Sequence, residues 1–200
     1  MGSNQLKTQL ATMRDALFKQ GYLDEQFIQL EELQDDANPN FVEEVVTLFF
    51  RDSVRLINSV EQALEKTPPE FDKLDKYMHQ FKGSSSSIGA AKVKSETSLF
   101  REYCKQGNAE GCVRTFQQVK KEYTTLRKKL ETYFQMARQA GPGESASRPK
   151  LRFQVYPVVG VLASVFLTSF KLYKSTLSEQ NNASSYVLFL LMSVSIMCEV

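Results

Sequence analysis

His79-Gln80-Phe81-Lys82-Gly83-Ser84-Ser85-Ser86-Ser87-Ile88-Gly89 is the stretch that decides how the chain is read. By composition KGSSSS looks like a linker, because a glycine costs roughly 1 kcal/mol in a helix interior and serine side chains compete for the backbone. By phase it is helix. Leu74, Met78, Phe81, Ser85 and Ile88 recur at spacings of three and four straight through the run, so one inward side continues to Ile88, and Gly89 marks its end. On that helix His79, the single histidine of the chain, falls about 100° around from Met78, on a flank shared with Asp72, Asp75, Lys76, Lys82, Gly83 and Ser86. The imidazole is therefore expected to face solvent.

Outward from this helix the punctuation stays helical. Leu6, Leu10, Met13 and Leu17 mark a first stripe, ended by Gly21. Asp24 is an N-cap for a second helix, with Leu23 and Ile28 spaced as a hydrophobic staple. Asn38-Pro39 reads as N-cap plus first-turn proline, opening a long helix that buries Phe41, Val45, Leu48, Phe49, Leu56, Val60 and Leu64. Thr67-Pro68-Pro69-Glu70 has the form of a capping box and opens the helix of His79. Two more helices follow, from Ala91 to Gln106 with Gly107 closing it, and from Asn108 to Arg138. The last carries Phe116, Val119, Tyr123, Leu126, Leu130, Tyr133 and Ala137 at the spacing of a bundle seam. Period-2 alternation is almost absent, so the expected class is all-α, with one helical domain over residues 1–140.

Composition changes at Ala140. Residues 141–150 form a Gly/Pro/Ser linker, and in residues 151–200, 29 of 50 positions are apolar and five are charged. The apolar runs Val155 to Phe170 and Tyr186 to Cys198 are 16 and 13 residues long, short of the roughly 20 a membrane helix needs. A membrane hairpin or anchor, a docked helical extension, and translation through an intron are the three readings of this tail. The last fits the abrupt change best, since Ser164, Thr168 and Ser169 give only a thin polar stripe.

The charge is +2 overall, but −6 over residues 1–66 and +7 over residues 67–150. So small a sum excludes a protein living by non-specific grip on nucleic acid. Three sparse cysteines without a CxxC argue against a disulfide framework or zinc site and for a reducing compartment. MGSNQLKTQL has no apolar core of a signal peptide.

The chemistry rests on the flank of His79. Helical side chains lean towards the N-terminus, so the residue at i+4 normally covers residue i; here it is Gly83, which leaves a ring nitrogen uncovered. Lys82 sets an ammonium one turn on and favours an anionic adduct. A solvated histidine, a packing glycine and a serine linker are each ordinary features taken singly; in phase together they point to a reactive imidazole. Metal binding finds one histidine and no thiol or carboxylate pattern. A nucleophilic triad finds no oxyanion hole. No GxxxxGK[ST] loop or Gly-rich kinase box is present, so phosphorylation from ATP is not expected.

HQFKGSSSSIGA resembles the phosphoacceptor motif of plant histidine-containing phosphotransfer (HPt) proteins, the shuttles of cytokinin-type multistep phosphorelays. The similarity extends to GYLDEQFIQLEELQDDANPNFVEEVVTLFF and to the last helix through Arg138, about 140 of the 200 residues, and leaves the tail outside. The resemblance implies an up-down four-helix bundle with additional N-terminal helices. It makes His79 the phosphoacceptor, Lys82 its electrostatic helper and Gly83 the residue that keeps it accessible. Gln80 belongs to the same motif, Arg101 and Lys105 are the matching polar neighbours on the next helix, and Lys76 and Ser86 share the partner-facing flank. It further implies a carrier rather than an enzyme, a monomer in cytoplasm and nucleus with no cofactor of its own. Its partners would be the receiver domains of hybrid histidine kinases and response regulators, with Mg²⁺ on the receiver and no nucleic acid. The competing reading is a non-catalytic helical interaction or scaffold protein, tethered to a membrane by the tail. Pseudo-members of the family lack the histidine, so His79 favours the relay.

Overall fold

Six α-helices lie among the described residues, 3–35 and 37–140 of the computed structural model: α1 (Ser3–Lys19), α2 (Glu25–Glu32), α3 (Phe41–Leu64), α4 (Phe71–Ser87), α5 (Ala91–Lys105) and α6 (Ala109–Ala140). The expected linker (141–150) and apolar tail (151–200) lie outside the described residues. Short connections make α3 to α6 run up and down, and α3–α4, α4–α5, α5–α6 and α3–α6 contacts close a four-helix bundle. Helix α1 packs along α6, and α2 against α4. Among the described residues no helix is long and apolar enough to cross a membrane.

The predicted stripes meet inside this bundle. Leu74, Met78, Phe81 and Ser85 of α4 and its C-cap Ile88 are all at most 1% exposed. Beneath them Phe49, Phe50, Phe81 and Tyr123 form an aromatic cluster with ring centroids 5.6–6.3 Å apart, in the tilted and edge-on arrangements that ring quadrupoles favour. The Tyr123 hydroxyl, buried with its ring, donates to the Phe50 carbonyl at 2.9 Å and so leaves no orphan polar group. Burial raises its pKa. Lys120 reaches Glu61 at 2.6 Å, a second tie between α6 and α3.

The turn between α4 and α5 is stitched to the turn between α1 and α2 by main-chain bonds, Asp24 N–H to Gly89 O at 3.0 Å and Ala91 N–H to Tyr22 O at 3.1 Å. Gly89 sits at φ +69°, and a Cβ there would stand 2.5 Å from the Phe27 nitrogen. Only glycine meets both conditions. Cys104 of α5 and Cys112 of α6 are buried free thiols with sulfurs 3.6 Å apart, and burial pushes both thiols above their ordinary pKa.

Three local expectations need correction. Helix α3 starts at Phe41, with Asn40 as N-cap, two residues later than Asn38-Pro39 predicts. Asn38 is held in a turn by its N–H bond to Asp35 Oδ1 at 2.9 Å, and the free Val42 N–H is met instead by Gln34 Oε1 at 3.2 Å. Helix α4 starts at Phe71, because the Glu70 carboxylate that a capping box needs is taken by Lys66 at 3.0 Å. On α6 Phe134 rather than Tyr133 is buried in the core, with Ala137 half-buried. Asp24 does cap α2, its carboxylate accepting from Gln26 N–H at 3.0 Å.

Candidate functional site

The outer flank of α4 carries the residues singled out from sequence. His79 is exposed in the middle of the helix, between buried Met78 and half-buried Gln80. Lys76 is exposed one turn before it, and Lys82 and Gly83 are half-buried one turn after it. The inner face of the same helix is closed by the aromatic cluster, so α4 cannot rock without disturbing Phe81.

The serine run divides in two. Ser84 and Ser85 are buried, Ser86 and Ser87 half-buried. Ser84 Oγ donates to the Phe81 carbonyl at 3.1 Å and Ser87 Oγ to the Ser84 carbonyl at 2.9 Å, the back-bonding that lets serine sit in a helix. Their small size admits the neighbouring helices, and only Ser86 belongs to the flank of His79.

The structure places Arg101 and Lys105 differently from each other. Arg101 of α5 crosses to α4 and forks onto Asp75, Nε to Oδ1 at 2.8 Å and Nη2 to Oδ2 at 3.2 Å. Both side chains are partly buried, 21% and 30% exposed, which places the pair above the usual surface ion pair. Hydrogen bonding to Asp75 raises the pKa of the guanidinium, against the lowering effect of burial. Asp75 lies four residues before His79, so the fork sits one helical turn from the imidazole. Lys105 instead bonds to Glu102 of its own helix at 2.8 Å, in an exposed pair. Lys92 of α5 lies over the Tyr22 ring at 4.0 Å, at the α1–α2 end of the bundle.

Sequence reasoning put Asp75 on the flank of His79 without a partner. The missing signal was an ion pair spanning 26 residues, which no local spacing rule reveals. No group of three or more potential metal ligands exists among the described residues. The arrangement offers one nucleophilic nitrogen in the open, flanked by Lys76, Lys82 and a guanidinium with spare donors.

Comparisons with known proteins agree with this geometry. Residues 44–129 match the Hpt domain model. The chain is 73% identical over 116 residues to histidine-containing phosphotransfer protein 4 of Arabidopsis thaliana, covering 58% of this chain and 91% of that protein. It is 58% identical over 144 residues to pseudo histidine-containing phosphotransfer protein 5 of Oryza sativa subsp. japonica, covering 72% and 95%. The crystal structure of a histidine-containing phosphotransfer protein from Medicago truncatula superposes with a TM-score of 0.66 at 46% identity, over 69% of this chain and 96% of that one.

Proposed function

The chain belongs to the family of plant histidine-containing phosphotransfer proteins, carriers in two-component phosphorelays rather than enzymes, and on that premise we propose that His79 is its phosphoacceptor in a cytokinin-type relay. The observation that carries the reading is His79 itself, exposed on α4 with Gly83 at the position whose side chain would otherwise cover it. The similarity to proteins named pseudo makes this residue decisive, because pseudo-members lack it. The docking counterparts are receiver domains of hybrid histidine kinases and of response regulators. The protein acts as a monomer in cytoplasm and nucleus, without a cofactor of its own.

In the forward step a ring nitrogen of neutral His79 attacks the phosphorus of a receiver aspartyl phosphate. The N–P bond forms as the P–O bond breaks, and the aspartate leaves as a carboxylate; the return step to a second receiver reverses this. The transition state is loose, so the needs are in-line alignment and positive charge near the equatorial oxygens. The imidazole supplies the attacking lone pair. Lys82 and Lys76 supply charge from either side of His79, and Gly83 leaves room for the receiver. Mg²⁺ and the acidic pocket belong to the receiver.

The test is transfer from a phosphorylated receiver domain to the wild-type chain and to His79→Gln. The wild type should take an acid-labile label, and the variant none, at an unchanged melting temperature, since an exposed polar position carries little stability. Label retained in the variant, or acid-stable label on Ser84 to Ser87, would sink the reading.

A further inference from the structure

Asp75 has a place in the site that the reading above does not use. It sits at i−4 from His79 on α4, where Cβ atoms are about 5–6 Å apart. The imidazole leans over this same turn, because helical side chains point back towards the N-terminus. The Asp75 carboxylate holds Arg101 by a two-point fork, Nε to Oδ1 at 2.8 Å and Nη2 to Oδ2 at 3.2 Å. A guanidinium has five N–H donors. The fork uses two, leaving three on the Nη1 and Nη2 side to meet another oxyanion without releasing Asp75.

We propose that Asp75, through its fork with Arg101, is a positioning residue that sets the lifetime of the phosphoryl group on His79. The inference rests on His79 being the phosphoacceptor. Two consequences of the carboxylate act together. It fixes the guanidinium on the turn of α4 that precedes His79, so the Arg101 donors are oriented before a receiver docks. It also offsets the Arg101 charge, so the site holds a phosphoryl dianion less tightly than it would with the Arg101 charge left whole. For a relay intermediate that must give its cargo away, a strong hold is a defect. A carboxylate one turn away from the cargo, by cancelling the Arg101 charge, supplies the opposite pressure.

The direct measurement is the half-life of acid-labile label on His79, together with the fraction of label shared with a receiver at equilibrium. Asp75→Asn keeps the shape and removes the charge, and it should lengthen the half-life and shift the shared label towards this chain by about threefold to tenfold, the range that one partly exposed charge acting on a dianion gives. Asp75→Glu keeps the charge and should return both quantities most of the way to wild type. Arg101→Gln should shorten the half-life. A purely structural salt bridge would lower the melting temperature of all three variants and leave both quantities unmoved. If Asp75→Asn still labels on His79 with a half-life and shared fraction equal to wild type, or if Asp75→Glu behaves like Asp75→Asn, the proposal falls while the phosphoacceptor reading stands. If the wild type takes no label on His79, it is the phosphoacceptor reading that falls.

Discussion

The outer flank of α4 and the hairpin of α5 with α6 are built from the same kinds of residue, each with a glycine inside a helix, yet they use them for opposite ends. On α4, Gly83 is half-buried beside the exposed His79. On α6, Gly111 is buried, and a Cβ there would lie 2.4 Å from Cδ1 and 2.6 Å from Cγ of Tyr103 on α5. One glycine keeps a surface open to another molecule. The other lets two helices of the same molecule close. A glycine in a helix is thus uninformative until the face it lies on is known, and the helical phase supplies that face.

Gly111→Ala tests the packing side and should have the largest effect on stability. The added methyl must displace the Tyr103 ring, at an overpacking cost of about 1–3 kcal/mol that alanine's better helix propensity only partly offsets. Thermal unfolding should show a drop of several degrees, while phosphotransfer per folded molecule stays at the wild-type rate. An unchanged melting temperature would mean that the ring swings aside freely.

Gly83→Gln tests the open side, where the two readouts should part. Helix propensity predicts stability held or raised by up to about 1 kcal/mol. Transfer from a phosphorylated receiver should nevertheless slow, as the new side chain leans over His79. Normal transfer would refute the access role of Gly83. An unfolded variant would make Gly83 a second Gly111.

A smaller effect belongs to the α1–α6 side. Burial, aided by Glu31, pushes the Tyr133 phenol up to about 12, against about 10 in an unfolded chain. The folded state therefore keeps this proton while the unfolded state releases it, and the phenol's stabilising contribution is present below pH 10 and lost as pH rises towards 12. Tyr133→Phe should flatten that part of the alkaline decline in melting temperature. A variant whose pH profile runs parallel to wild type would show that the phenol is not the group titrating.

Much of the bundle was legible because helical phase is a local property. Leu74 to Ile88 predicted a buried face and an exposed His79, and both are found. Gly89 and Gly107 end their helices at φ +69° and +64° as their positions imply. What was not legible came from competition by distant or alternative partners. Gln34 caps α3 from eight residues away, and Lys66 diverts Glu70 from the start of α4. Tyr133 and Phe134 are adjacent aromatics, and local spacing alone does not say which is buried: Phe134 is, while Tyr133 packs against the core only in part. At the candidate site, His79, Lys82 and Gly83 were legible from spacing and resemblance together. The engagement of Arg101 with Asp75 required two helices to be placed side by side.

The joint between the α1–α2 turn and the α4–α5 turn is made by main-chain groups of Tyr22, Asp24, Gly89 and Ala91. Main-chain bonds do not depend on which side chains the partners carry, so the seam makes little demand on the exposed residues of α1 and α2, whose buried Leu17, Phe27 and Leu30 are held by the core instead. Gly89 is the exception, since any side chain there would strike the Phe27 backbone. The solvent-facing positions of the N-terminal helices can thus change and still seat the end of the histidine-bearing helix in the same way, provided that Gly89 and the buried positions of α1 and α2 are kept. In an inventory of tolerated variation, the exposed positions among the first thirty residues should read as permissive, and Gly89, like the buried Leu17, Leu23, Phe27 and Leu30, as fixed, although Gly89 takes no part in the chemistry.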